Sequence, residues 1–475
     1  MPTAKCKTVT FLIPILALSF LVRGLTTYFI NTHLADPGWF QSGTYALFDR
    51  HAQDILDNKA SAFWIDDPAK SEAAIYPPGY SICLALIYSV TGSRSPATVQ
   101  KVQFVIDSLA VLLIVGIGIS AYGCRVGLIA GTMAALSPLL ALYGATPLAD
   151  APTSWIVLGA VWFLVVASKE GPSFDELTNH PTRRNFTFAA LAGVLLGLSC
   201  WLRSNAVLLP LFWIAAIWFL KVPKRSRVLL GAAVLLGFIT LVTPLVIRNA
   251  IAFHVLTPTG LGVGTNLWEG LGETDRATVF GAVYGDANLV EKERLESGVP
   301  ADQRFELYYP DGVRRDRERT RKAVSVITAH PVWYATVILR RMTGVLKYFG
   351  KPNPFYGSSG INVTAEKCVP ERMPRALGSF LIEPLGMVQS LVRHLALPLM
   401  IFGVVIALWF NWRLALLVLS TVLYYLVVGS SLHTEFRYGL PMQALLFVFA
   451  GVTIDWLISH LRRSTQRSDM RLSCR

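Results

Sequence analysis

Charged residues are scarce in this 475-residue chain: Asp, Glu, Lys and Arg make up only 15% of it, against about 25% in soluble globular domains. A P-loop is absent, and Gly193 and Gly197 lie within an apolar run, not in a turn between a strand and a helix. The six cysteines are spaced singly, without the CxxC pairs of a zinc site. These absences argue against a Rossmann-type nucleotide-binding domain and against a structural zinc module.

Hydrophobic residues, by contrast, make up 53% of the chain, and the mean hydropathy is +0.48. One water-soluble core cannot bury so much apolar surface, so lipid must cover much of the molecule. The net charge is +13, but the basic residues cluster between hydrophobic runs and at the tail, as in the cytoplasmic loops of membrane proteins. We therefore expect an all-α polytopic membrane protein surrounded by membrane lipids, with no nucleic acid partner.

Apolar stretches of about 20 residues predict roughly ten transmembrane helices. They lie at 8–30, 99–121, 125–142, 150–168, 187–203, 205–220, 228–248, 388–409, 413–430 and 438–459. Two further stretches, 76–91 and 331–349, are assigned to the membrane interface. The loops rich in Lys and Arg fall on one side only if 76–91 does not cross, and 331–349 carries several basic residues of its own.

This topology predicts a protein of the cytoplasmic (inner) membrane with both termini in the cytoplasm. An N-terminal transmembrane module, 1–250, contains the first outer loop, 31–98. A large outer loop with an interfacial helix, 251–387, follows it. The C-terminal transmembrane helices and a basic cytoplasmic tail occupy 388–475. The outer (periplasmic) side therefore holds the two long polar segments, where we look for a site.

Two aspartates lie at predicted outer ends of spans. Asp36 follows the first span and precedes Pro37, which ends the helix. A carboxylate at this boundary can accept a proton from a hydroxyl group, and the alternative is a solvated loop residue or a helix cap. Asp150 opens another span, where aspartate is a common N-cap. The functional alternatives for Asp150 are orienting an acceptor or sharing a divalent cation with Asp36.

Four arginines also lie at predicted outer ends of spans, against the usual charge bias: Arg23, Arg203, Arg248 and Arg437. Arginine near hydrocarbon requires a partner, and a lipid phosphate is one that guanidinium binds bidentately. The alternatives are snorkelling to headgroups and pairing with a local carboxylate such as Glu435. A polar island between the last two spans adds His433 and Glu435 as accessory candidates.

The order of these features resembles the GT-C superfamily of membrane glycosyltransferases, closest to the bacterial protein O-mannosyltransferase and lipid A aminoarabinose transferase group. The similarity covers nearly the whole chain, and its motifs are short. They are Asp36 after the first span, the turn Tyr76-Pro77-Pro78-Gly79-Tyr80, Asp150 after Leu136-Ser137-Pro138, Trp201-Leu202-Arg203, Pro244-Leu245-Val246-Ile247-Arg248-Asn249 and Arg437-Tyr438-Gly439-Leu440-Pro441.

The resemblance implies a GT-C fold with interfacial helices in the first and a later outer loop. It implies an inverting transfer of a sugar from a polyprenyl-phosphate donor to an acceptor hydroxyl, an activity of the EC 2.4 class. Asp36 would be the general base and Asp150 the second acidic position. Contacts to the donor phosphate would come from Arg203, Arg437, Arg248 and Tyr76. Pro37 stands where many relatives have a second acidic residue, which weakens the case for a metal between Asp36 and Asp150.

Two other functions stay open. A glycan ligase or polymerase would use a diphosphate-linked oligosaccharide and share the architecture and the arginines. A transporter or flippase would more often show charges near the midplane and related halves, and this chain shows neither. The acceptor, whether protein, lipid or glycan, does not follow from the residues.

Overall fold

The computed structural model describes residues 8–31, 34, 42–57, 76–168, 183–257, 260–346, 383–433 and 436–473. Asp36 and Glu435 lie outside these described residues. Within them, the regular secondary structure is helical apart from one isolated bridge between Glu306 and Tyr309. The all-α fold class is confirmed.

The first part of the described chain contains ten α-helices. They are α1 (Thr8–Asn31), α2 (Ser42–Leu56), α3 (Gly79–Thr91), α4 (Pro96–Tyr122), α5 (Cys124–Leu136), α6 (Pro138–Ala145), α7 (Asp150–Ala167), α8 (Arg183–Leu202), α9 (Leu209–Ile217) and α10 (Lys224–Phe253). The second part contains seven. They are α11 (Val263–Gly272), α12 (Ala277–Phe280), α13 (Asp286–Glu296), α14 (Gly312–Ala329), α15 (Pro331–Val345), α16 (Glu383–Ser430) and α17 (Leu440–Ser473).

Seven helices of the described chain are long and apolar enough to cross a membrane, or nine if each of two bent pairs counts as one span. All ten predicted spans fall on these helices or on the short apolar helix α9. The predicted span 125–142 is bent by 60° between α5 and α6. The predicted boundary between the spans 388–409 and 413–430 coincides with a non-helical residue in α16, Asn411. The chain is a multi-pass membrane protein.

Each of the two stretches assigned to the interface forms a helix that is too short to span by itself. Helix α3 has 13 residues, about 20 Å of helix against a hydrocarbon core of about 30 Å. Helix α15 has 15 residues and meets α14 at 105°. Arg341, one of the basic residues of this stretch, is fully buried and contacts protein carbonyls and Glu273.

Helices α8 and α10 pack backbone to backbone through glycines. A Cβ added to Gly193 or Gly197 of α8 would overlap the carbonyl oxygens of Val234 or Phe238 in α10, and one added to Gly237 would overlap the Ala190 carbonyl. Small residues spaced four apart permit this close approach of membrane helices. The Gly193–Gly197 pair that is out of place for a nucleotide site is therefore a helix-packing motif.

The two glycines of α10 provide a test of this packing. Gly237→Ala should destabilise the protein by about 1–3 kcal/mol, since the new methyl has no space against α8. Gly231→Ala on the same helix meets only side-chain atoms of Ile214 at ordinary contact distance, and should be neutral or stabilising by about 0.5–1 kcal/mol. Thermal unfolding of the purified variants in detergent measures both, and equal effects would contradict the close α8–α10 contact.

Helices α11 to α15 form a helical unit, residues 263–345, at one end of the bundle. Its apolar core contains Trp268, Leu271, Leu289, Tyr334 and Val337. Beside this core, the Glu293 carboxylate receives charge-assisted hydrogen bonds from two buried arginines, Arg315 and Arg319, at 2.5–3.0 Å. Paired charges of this kind can be buried because each replaces lost hydration with hydrogen bonds.

A second carboxylate in this unit is held in its protonated form. Burial and the neighbouring Asp286 carboxylate raise the pKa of Glu269 to about 9, against the opposing charge of Arg319. The unfolded chain releases this proton near the ordinary pKa of 4.5, whereas the folded chain keeps it to about pH 9. Stability conferred by this group is therefore complete at low pH and is lost as the pH rises through that window.

Glu269→Gln should flatten this pH dependence and should raise the melting temperature of the protein at the alkaline end. An amide mimics the neutral carboxyl without titrating, so its benefit grows as the wild-type proton becomes costly to keep. Melting temperatures measured from pH 4.5 to 9 check it, with Asp302→Asn on the exposed surface as control. Parallel curves for wild type and Glu269→Gln would show that the carboxyl ionises normally.

Candidate functional site

An ion pair joins the start of α7 to the end of α8. Arg203 directly follows α8, and its Nη1 donates to Asp150 Oδ1. The two side chains are only 11% and 2% exposed. Asp150, the first residue of α7, thus pairs with a basic side chain from another span. Asp150 fixes the orientation of the Arg203 guanidinium, a planar group with five N–H donors.

Tyr438 brings the two best-matched arginines together. The Arg203 Cζ lies 4.9 Å from the centroid of its ring, and the Arg437 Cζ lies 5.3 Å from it, both within cation–π range. Tyr438 lies in the turn between α16 and α17. This turn contacts the end of α8, because Asn205 Nδ2 donates to the Tyr438 carbonyl at 3.3 Å. The structure thus brings together Asp150, Arg203 and Arg437 from distant parts of the chain.

His433 lies on the same turn. Its ring stands edge-on to the Tyr438 ring, with centroids 5.5 Å apart. Its Nδ1 is 3.6 Å from Glu273 Oε1, and Glu273 also lies 3.4 Å from Arg341 Nε. His433, an accessory candidate from the sequence, therefore contacts the aromatic ring at the centre of the site and a buried carboxylate of the 263–345 unit.

The Tyr76–Tyr80 turn packs on the end of α8. A Cβ on Gly79 would overlap the Trp201 carbonyl, two residues before Arg203. The Tyr76 ring contacts Phe48 of α2, with centroids 4.9 Å apart. Helices α2 and α3 are joined by hydrogen bonds, since Tyr88 donates to Asp49 at 2.5 Å. The first loop therefore presents this turn at the edge of the Arg203 region.

Arg248 is buried at the end of α10. Its Nη1 donates to Asn249 Oδ1 at 3.1 Å, and its Cζ lies 5.1 Å from the Phe253 ring centroid. The chain then returns to the α8 end, where the Gly260 amide donates to Ser204 Oγ at 3.3 Å. Arg248 thus borders the region.

His51 of α2, in the first loop, is influenced by the charge of Arg248. Burial lowers the pKa of His51, and the charges of Arg248 and Arg50 add to this effect against the opposing charge of Asp54. The lowered pKa favours the neutral form of His51 in the first loop.

Arg23 has a different environment. Its Nε donates to Asp107 Oδ2 at 2.5 Å and its Nη1 to the Ala135 carbonyl. Asp107 also accepts from Trp155 Nε1 at 2.6 Å. Of the alternatives given above for the arginines, Arg23 therefore shows pairing with a carboxylate, that of Asp107. This ion pair stabilises the packing of α1, α4 and α7. The accessory role predicted for Arg23 has no support in these contacts.

Four residues of the region were not identified from the sequence as site residues: Asn205, Glu273, Arg341 and Tyr438. Tyr438 stands inside a quoted motif and could have been found, whereas Glu273 and Arg341 carry no local signal. In the described part of the chain, no group of three or more His, Cys, Asp and Glu side chains could hold a metal ion. A cation between Asp36 and Asp150 stays untested, because Asp36 is outside the described residues.

No protein-family model and no curated protein sequence matches the chain. Solved structures do match it. The Archaeoglobus fulgidus oligosaccharyltransferase in its apo form aligns with a TM-score of 0.53 and 12% identity, over 96% of this chain and 52% of that one. The form tethered with an acceptor peptide containing the NVT sequon aligns at 0.51 and 11%, over 95% and 50%.

The oligosaccharyltransferase AglB from the same organism, in complex with an inhibitory peptide and a dolichol-phosphate, aligns at 0.50 and 12%, over 96% of this chain and 52% of that one. The chain spans about half the length of these proteins. At this identity the likeness establishes the fold, which is of the GT-C type.

The Asp150–Arg203 pair can be tested without a substrate. Asp150→Asn and Arg203→Gln should each destabilise the protein by about 3 kcal/mol or more, because each leaves a buried charge without its partner. The double variant should cost less than the sum of the two. Melting temperatures of the wild type, the two single variants and the double variant, all measured in the same detergent, complete this double-mutant cycle.

Glu306→Gln, in an exposed pair with Arg304, is the matched control and should cost about 1 kcal/mol or less. Additive losses for Asp150→Asn and Arg203→Gln would contradict the pairing.

Proposed function

We propose that this protein is a membrane glycosyltransferase that moves a sugar from a polyprenyl-phosphate donor to an acceptor hydroxyl. The observation that carries the proposal is the convergence of Arg203 and Arg437 on Tyr438, at the ends of spans in a GT-C fold. Fixed positive groups at this depth suit an anionic headgroup attached to a membrane lipid.

The reaction is a single displacement. The acceptor oxygen attacks the anomeric carbon, the bond from that carbon to the phosphate oxygen breaks, and the polyprenyl phosphate leaves with the electron pair. Asp36 takes the acceptor proton, and the configuration at the anomeric carbon inverts. Charge develops on the leaving phosphate, and Arg203 and Arg437 stabilise it as fixed donors in a partly dry site.

The other predicted residues have supporting roles in donor binding. Asp150 orients Arg203, so its carboxylate acts on the donor through that guanidinium rather than on the acceptor. Arg248 and Tyr76 border the same region and supply secondary contacts to the donor. The basic loops favour cytoplasmic termini and a site on the outer face of the inner membrane.

A second candidate is transfer of a lipid-linked oligosaccharide, which the likeness to oligosaccharyltransferases favours. The two activities differ in the donor: one phosphate with one sugar, or a diphosphate with an oligosaccharide. The arginines suit either donor, but the sequence motifs resemble those of enzymes with a polyprenyl-phosphate donor, and we therefore rank this alternative second.

The decisive experiment incubates purified protein in lipid nanodiscs with polyprenyl-phosphate monosaccharides and, in parallel, with diphosphate-linked oligosaccharides. Consumption of a monophosphate donor supports the proposal, and consumption of a diphosphate donor alone favours the second candidate. A wild-type protein that consumes none, yet moves a lipid-linked sugar across the bilayer, would indicate a flippase.

Two classes of variant then separate catalysis from binding. Asp36→Asn should lower turnover by about 10²–10⁴-fold, as loss of a general base does, with donor binding kept. Arg203→Gln and Arg437→Gln should weaken binding of polyprenyl phosphate by about tenfold or more, as expected for a lost charge-assisted hydrogen bond. Arg304→Gln on the exposed surface is the control. Normal turnover in Asp36→Asn would remove this residue from the mechanism.

A further inference from the structure

The turn between α16 and α17 carries Tyr438 and Arg437, and the 263–345 unit holds the start of that turn. Arg341 of α15 is fully buried. Its Nη1 donates to the carbonyls of Ser430 and Leu432, at 3.2 and 3.0 Å, and its Nη2 donates to the Gly270 carbonyl. One guanidinium therefore joins α11, α15 and the end of α16.

Glu273 stands at the centre of this contact with no exposed surface. Its carboxylate lies 3.4 Å from Arg341 Nε and 3.6 Å from His433 Nδ1. A buried carboxylate without positive or hydrogen-bonding partners is costly. Arg341 approaches one oxygen of this carboxylate and His433 approaches the other, so the position of His433 relative to α11 is restrained.

The backbone of α11 also permits close contact with residue 432, because residue 270 is a glycine. A side chain at Gly270 would overlap the Leu432 carbonyl, so only glycine lets α11 approach the turn this closely. Tyr334 of α15 adds a hydrogen bond from its hydroxyl to the Ser431 carbonyl at 2.5 Å. Three consecutive residues of the chain, 430–432, thus receive donors from the 263–345 unit.

We propose that Glu273 is a positioning residue, and that through His433 the docked 263–345 unit sets the place of Tyr438 and hence of the arginines on its ring. The order of contacts is Arg341 to Glu273, Glu273 to His433, and the His433 ring edge-on to Tyr438. Glu273 touches no donor atom in this scheme. The inference rests on the proposed function only in its consequence for donor binding, and the positional claim can be tested without any substrate.

The chain offers a matched control on the same two segments. Asp275 is two residues from Glu273, and Arg340 is the neighbour of Arg341. They form an ion pair of 3.8 Å whose side chains are 59% and 57% exposed. Asp275→Asn removes the same kind of charge from the same contact, but at the surface and away from His433.

The first measurement is hydrogen exchange of the amides of residues 430–440 in the purified full-length protein. Glu273→Gln should speed exchange there by about tenfold, because local opening loses one restraint, and Asp275→Asn should leave it unchanged. His433→Gln keeps the Glu273–Arg341 contact and should give the same local effect. The double variant should add little to either single change, as residues of one chain of contacts do.

The second measurement is affinity for polyprenyl phosphate without a sugar. Glu273→Gln should weaken it by about fivefold at unchanged acceptor KM, since only the donor arginines are displaced. A purely structural role would lower the melting temperature and spread the exchange change over the whole unit, without this selective loss.

Exchange in 430–440 that is equal in wild type, Glu273→Gln and His433→Gln would overturn the proposal. So would equal effects of Glu273→Gln and Asp275→Asn. If Glu273→Gln does not fold, His433→Gln alone decides it by the same criteria. Wild-type protein that binds no polyprenyl phosphate would instead contradict the proposed function, and the exchange result would still decide the positional claim.

Discussion

Two guanidinium groups near one aromatic ring dominate the electrostatics of this end of the bundle. Arg203 and Arg437 both lie within about 5 Å of the Tyr438 ring centroid. Like charges repel each other, and charged groups close to hydrocarbon are poorly hydrated. The ring lowers this cost through its negative face, and Asp150 lowers it further by pairing with Arg203. The same electrostatics favour a ligand that brings negative charge to the ring.

The turn that carries this ring is held from two sides. Asn205 fixes the Tyr438 carbonyl to the end of α8, while Arg341 and Tyr334 fix residues 430–432 to the 263–345 unit. A rigid site is therefore assembled from chain segments that are far apart in sequence. Precise placement of charged groups matters because preorganised donors need no rearrangement as charge develops on a leaving group.

Much of the fold could be predicted because membrane spans are encoded locally: about 20 apolar residues suffice, whatever they pack against. The break at Asn411 and the short α3 were predictable for the same reason. The meeting of Asp150 with Arg203 came only from the order of motifs. Glu273 and Arg341 could not be found, since their partners lie about 70 to 160 residues away and nothing local distinguishes them from solvated charges. Position near a span end does not distinguish a ligand-binding arginine from a structural one, since Arg23 pairs with Asp107 inside the bundle.

The location of the charges also limits which ligand they can serve. Asp150 and Arg203 end or begin helices that are long enough to cross a bilayer, so the group lies near the boundary between hydrocarbon and headgroups. A soluble anion reaching that depth would lose hydration, whereas a phosphate attached to a polyprenyl chain is held there by the chain itself. Side chains at span ends need then supply only the charge, and the apolar surface of the bundle can supply the binding energy for the lipid. Under the proposed function, this division of labour would explain why Asp150, Arg203 and Arg437 come from separate span ends rather than from a single soluble domain.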